Sequence, residues 1–300
     1  MIRFLLFELE KTLVDGLGKV FAHVIEALKT MESFRTDTAE SLSMCLISVE
    51  PAGPSGIDDT SDRLISRLET LGLKRFFDPV GRRVTLMMRA DIQRFDQHLF
   101  DTTIARSMCD ATPDQCVFFT GDHEVAWTTR GLNIKTLEFN PIQEGGTDFV
   151  NWLEAPLLVA KMLSGNRQKN TEEALRAYLA ATENMDLVSL TASADPDTFL
   201  GKVSAWHAIT SEKLRDLSGV SVRLPTEVRV QLDTSGKVKR VDRTNPSAEH
   251  EEEAKHFVES LVIHGQIAPE SEVSPHGATH QISTDSEGRR YLIRKRFTAV

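Results

Sequence analysis

Four large apolar residues in succession, Phe4 to Phe7 in "RFLLFELEKT", constrain this chain most. A half-buried strand would alternate apolar and polar residues. A run without alternation, ending at Glu8, suits a central parallel strand covered on both faces. The same grammar then repeats. Val20, Val24, Ile25 and Leu28 fall at helical spacing and predict a helix over about 18–34. "MCLIS" (44–48) reads as a second strand, "PAGPSG" as a loop, and "DDTSDRLISRLETLGL" as a helix with cap candidates from Asp58 to Ser61 and an apolar stripe of Leu64, Ile65, Leu68 and Leu71. "VTLMM" (84–88), "HLFDTTIARSM" (98–108), "CVFFTGD" (116–122) and "IKTLEF" (134–139) continue as strand, helix, strand and strand. Alternation of this kind predicts an α/β fold, a doubly wound parallel sheet over residues 1–150.

The texture changes at Asn151. "LLVAKML" and "TEEALRAYLAATENM" read as helices around a polar "SGNRQKN", so residues 151–219 are expected to form a helical linker region. "EVRVQLDTSGKVKRV" alternates, turns at a glycine and returns, which signals a β-hairpin. A helix follows Ser247, with Glu249, Glu251, Glu252 and Glu253 in its first turns, where the helix dipole favours them, and Gly265 as its stop. "THQISTDSEGRRYLIRKRF" closes as a second hairpin. Residues 220–300 are therefore expected to form a small α+β module.

Composition narrows the classes of function. With 44 acidic against 35 basic residues, the formal charge of −9 opposes nonspecific binding to nucleic acid or anionic lipid by the whole chain. Three cysteines, an odd number, argue against a disulfide framework and for a reducing, cytoplasmic setting. The apolar run at the start is too short for a signal peptide and no window approaches a membrane span, so no membrane partner is expected.

The candidate chemistry sits at strand ends. Residues i and i+2 of a strand share a face, so Glu8 and Glu10 are expected to converge at the carboxyl end of the first strand, where open α/β sheets bind their ligands. Ser48 ends the second strand and Asp122 follows the fourth. In the last module, Arg290, Arg294 and Arg296 fall on one strand face, opposite Tyr291, Ile293 and Phe297, which reads either as a solvated, edge-protecting face or as a binding site for an anion or acidic partner. Among the histidines at 250, 256, 264, 276 and 280 only 276 and 280 stand four apart, and they lie beyond the helix that Gly265 stops, so no pair on that helix has metal-site spacing.

Taken in order, these groups resemble the haloacid dehalogenase superfamily of phosphohydrolases and phosphotransferases. Its Asp-x-Asp-x-Thr motif is similar to "ELEKT", with Glu8, Glu10 and Thr12 in the motif positions. Its strand-ending Ser or Thr resembles Ser48, its lysine before a helix resembles Arg94 in "RFDQHLF", and its last acidic motif resembles "TGDHEVAWTTRG" with Asp122. The resemblance implies a nucleophilic carboxylate at Glu8, a proton donor at Glu10, phosphate-holding roles for Ser48 and Arg94, and magnesium held by Glu8 and Asp122. No cap insertion is visible between these motifs, and an open site suits a macromolecular partner. Both motif aspartates are glutamates here. An extra methylene displaces each carboxylate by roughly one bond length, and about 1 Å of misplacement costs on the order of a hundredfold in rate. Arg94 replaces a compact ammonium by a planar fork. The expectation is a protein with impaired phosphatase chemistry that binds a protein partner or phosphorylated ligand. The alternative is a magnesium-dependent phosphohydrolase with Glu8 as nucleophile.

Overall fold

The computed structural model describes residues 2–50, 57–77, 84–88, 112–142, 147–163, 165–210, 219–268, 278–286 and 288–294. The chain divides into two compact units, residues 1–178 with 233–237, and 179–232 with 238–300.

The first unit is an α/β layer structure. Its elements are β1 (Phe4–Glu8), α1 (Val24–Ser33), β2 (Ser43–Glu50), α2 (Ile57–Thr70), α3 (Lys74–Phe77), β3 (Val84–Met88), β4 (Cys116–Thr120), α4 (His123–Gly131), β5 (Lys135–Glu138), α5 (Ala155–Met162) and α6 (Arg167–Thr182). Five strands pair in the order β3-β2-β1-β4-β5, and every pairing is parallel. The strand run without alternation therefore lies at the centre, as its composition requires. One face of β1 contributes Phe4 and Leu6 to a cluster with Cys45, Ile47, Cys116, Phe118 and Ile134, against which Val125 of α4 packs. The other face presents Phe7, stacked on Phe119 at 4.5 Å and edge-on to Phe77 of α3 at 5.6 Å. Helices thus cover both faces. Trp152, fully buried, packs against Phe7, Phe119, Phe139 and Phe149 beneath the carboxyl end of the sheet.

The second unit holds β6 (Met185–Ala192), β7 (Thr198–Ile209), β8 (Val220–Leu232), β9 (Val238–Arg243), α7 (Ala248–Ile263), β10 (Ile267–Ala268), β11 (His280–Thr284) and β12 (Arg290–Arg294). β8 organises it. One edge pairs with β7 along the whole strand, while the other pairs with β12 at its start and β9 at its end. Ser247 caps α7 by accepting from the His250 N–H. Val258 of α7 packs on Ile209, with Val222 and Leu292 beside it. On the opposite face the Arg223 guanidinium lies 4.6 Å from the centre of the Trp206 ring and Tyr291 lies 5.2 Å from it.

Four expectations need correction here. The helical linker expected over 151–219 holds α5 and α6 but then becomes strands β6 and β7. A register shift between Leu187 and Ser189 breaks the alternation that would have announced β6. In β7 the small residues Gly201, Ser204 and Ala208 dilute it. The second strand does not end at Ser48 but runs two residues further, to Glu50. The first helix starts at Val24 rather than near Gly18, because Val20 bridges to Val14 and residues 15–19 form a turn around the Asp15 carboxylate. The basic row on β12 is interrupted: Leu292 stands between Arg290 and Arg294 on the same face and packs toward the Ile209–Val258 cluster. Among the described residues neither arginine forms an ion pair with Glu249 to Glu253; Glu251 pairs instead with His207 at 3.2 Å. Arg296, Arg94 and the helix expected over 98–108 lie outside the described residues.

Candidate active-site cleft

The parallel register brings the ends of β1 and β4 side by side, Phe7 opposite Phe119, so that Glu8 and Thr120 are neighbours. The Thr120 hydroxyl donates to Glu8 Oε2 at 2.5 Å and accepts from the Asp122 N–H at 3.0 Å. Burial pushes the Glu8 carboxyl from an ordinary 4.5 up to about 7. The Thr120 bond lowers it, the nearby charge of Asp122 raises it further, and Lys11 pulls it down.

Beyond Glu8 the chain leaves the sheet in a tight turn. Leu13 and Val14 both donate their N–H to the Leu9 carbonyl, and Lys11 takes a left-handed φ of 59°. This turn separates the two glutamates. Convergence of Glu8 and Glu10 requires a strand that continues to Glu10; the strand stops at Glu8, and Glu10 instead pairs with Arg67 of α2 through oxygens at 2.7 and 3.4 Å. Glu8 faces Thr120 while Glu10 is drawn to a helix.

Thr12 is fully buried and joins the two loops of the cleft. Its Oγ1 accepts from the Gly121 N–H at 2.7 Å, and its carbonyl accepts from the Trp152 indole N–H at 3.1 Å. Thr12→Val removes the acceptor and keeps the shape. It is expected to destabilise the first unit by about 1–3 kcal/mol, the cost of stranding a polar donor. Thr12→Ser is expected to recover most of that in a urea melt.

Asp122 is the N-cap of α4. Its Oδ1 accepts from the N–H groups of Glu124 and Val125 at 3.0 and 3.3 Å, and its Oδ2 receives the Lys11 ammonium at 2.8 Å. Burial alone would raise its carboxyl, but the Lys11 bond and the two backbone donors outweigh it and hold Asp122 below the usual aspartate range. On the flank, the buried Glu138 at the end of β5 takes His123 Nδ1 at 2.8 Å and Arg130 at 3.1 Å, and Arg130 also reaches Asp148 at 2.6 Å.

The structure therefore gathers Glu8, Thr12 and Asp122 at one point and places Glu10 beside them, turned toward α2. The β2 backbone passes alongside, with Ile47 opposite Glu8 and Ser48 next in line. Arg290 and Arg294 belong to the second unit. Sequence reasoning missed Lys11, Thr120 and Arg67. Thr120 was legible, since it precedes the Gly121-Asp122 turn on a strand parallel to β1. Lys11 was not, because only the left-handed turn aims it at Asp122.

The magnesium that the resemblance implies finds a poor donor set here. Both oxygens of Asp122 are engaged by groups of this chain, Glu8 shares Oε2 with Thr120, and Glu10 is committed to Arg67. Among the described residues no three His, Cys, Asp or Glu side chains form a metal-binding group, and no helix is long and apolar enough to cross a membrane. No protein-family model and no curated protein sequence matches this chain.

Proposed function

We propose that the first unit is a haloacid dehalogenase-like domain with impaired phosphatase chemistry, serving as a binding or regulatory protein for a phosphorylated ligand or protein partner in the cytoplasm. The observation that carries this reading is the state of the two motif glutamates. A nucleophile for in-line attack must be ionised and aimed, and Glu8 is buried, tied to Thr120 and protonated in a large fraction at neutral pH. A proton donor must reach the leaving group, and Glu10 is held by Arg67. Glu8, Thr12, Thr120 and Asp122 still meet at the carboxyl ends of the parallel strands, where open α/β sheets bind their ligands. Purified protein is expected to give no turnover of generic phosphoesters above background, with or without magnesium chloride. The double variant Glu8→Asp, Glu10→Asp then tests whether shorter carboxylates restore any.

One observation favours a second reading. A carboxyl near neutrality is matched to general acid-base work, so Glu8 could move a proton to or from a bound water. Turnover by wild type that Glu8→Gln abolishes would establish this reading in place of the first.

A further inference from the structure

Carboxylates dominate the cleft: Glu8, Glu10, Asp122 and, on the first turn of α4, Glu124. Groups of this kind ordinarily gather a hard divalent cation. Here the positive charge belongs to the chain. The Lys11 Nζ lies 2.8 Å from Asp122 Oδ2. Its ammonium is pushed upward first by that hydrogen bond, then by the charges of Asp122, Glu8 and Glu124. The backbone is shaped to deliver it: Lys11 adopts φ 59°, and Gly121 passes so close to the Lys11 carbonyl that no side chain fits between them. The left-handed region is costly for a residue with a Cβ, so the turn holds Lys11 there against local preference.

Resting on the reading of this cleft as haloacid dehalogenase-like, we propose that the Lys11 ammonium is the resident cation of the site, standing in the charge-balancing place of a divalent metal and closing the cleft to magnesium. A tethered ammonium suits the geometry found. It donates to one carboxylate oxygen and leaves two further N–H donors, on a side chain that is 65 % exposed, for an anionic ligand arriving from solvent. A magnesium ion would instead demand near-octahedral oxygen ligands and would have to displace both Lys11 and the helix cap from Asp122.

The test is binding of manganese alone, followed by electron paramagnetic resonance, on the full chain and three variants. Wild type is expected to bind no more tightly than Asp122→Asn. Lys11→Met removes the charge and keeps the stem, and is expected to gain roughly tenfold or more in manganese affinity. Lys11→Arg keeps the charge and is expected to match wild type, which separates charge from folding effects; circular dichroism checks that each variant is folded. Tight manganese uptake by wild type that Asp122→Asn removes overturns the proposal, and so does a folded Lys11→Met that gains nothing. The two readings fail separately: metal-independent phosphatase turnover sinks the functional reading and leaves Lys11 in its role, whereas manganese uptake without turnover does the reverse.

Discussion

Gly121→Ala is expected to lower the thermal midpoint of the first unit by roughly 6–12 °C, equivalent to about 3 kcal/mol at the upper end of overpacking costs. A Cβ on Gly121 would stand 2.0 Å from the Lys11 carbonyl oxygen and 2.6 Å from its carbonyl carbon. Both atoms are backbone, so neither can swing aside like the end of a flexible side chain. Relieving the overlap means parting the two loops that the Thr12 to Gly121 hydrogen bond joins. Gly131, at the end of α4, has nothing within 4 Å of its would-be Cβ, and Gly131→Ala is expected to leave the midpoint unchanged or slightly raised. Equal midpoints for the two variants, read by differential scanning calorimetry, would contradict the close apposition of the loops.

The second large effect is the pH dependence that Glu8 contributes to stability. Below about pH 4.5 its carboxyl is protonated in both the folded and the unfolded chain. Between there and about 7 the unfolded chain gives up the proton while the folded one keeps it. Unfolding then releases a proton, and stability falls as pH rises. Above about 7 both forms are ionised and the loss is complete, at a total on the order of 3 kcal/mol for the gap between the two values. Glu8→Gln cannot ionise, and its amide oxygen can still accept from Thr120. Its stability relative to wild type is therefore expected to be near zero at pH 4.5 and to grow toward that amount by pH 8, as followed by urea melts across the range. A difference that stays flat with pH would show that burial does not act on Glu8 in this way.

The sheet of the first unit was legible because its strands announce themselves by composition. Phe4 to Phe7 and Cys116 to Phe119 are apolar on both faces, and a strand of that kind has few places other than the middle of a covered parallel sheet. The hairpin, helix and hairpin after residue 220 were legible from Ser247, Gly265 and the turn glycines. β6 and β7 were hidden by a bulge and by small residues, both of which erase a period of two. The candidate site was half legible. Strand ends located Glu8 and Asp122, whereas Thr12 entered only through the resemblance of "ELEKT" to a family motif. What the chain does after β1 was not readable, because the left-handed turn at Lys11 depends on its fit against Gly121, a contact 110 positions distant in sequence. That turn sends Glu10 to Arg67 and Lys11 to Asp122, and so decides the electrostatics of the cleft. A local pattern carries no signal for a partner that only tertiary packing supplies.

Glu8, to which the proposed function gives the nucleophile position, is expected to behave as a desolvated, metal-free acid. The most direct test is a carbon-13 NMR titration of the Glu8 side-chain carboxyl, assigned by its loss in Glu8→Gln and repeated with excess magnesium chloride. The expected result is a midpoint near 7 that magnesium leaves in place. A midpoint in the ordinary glutamate range, or one that magnesium drives clearly downward as metal ligation requires, would contradict the account.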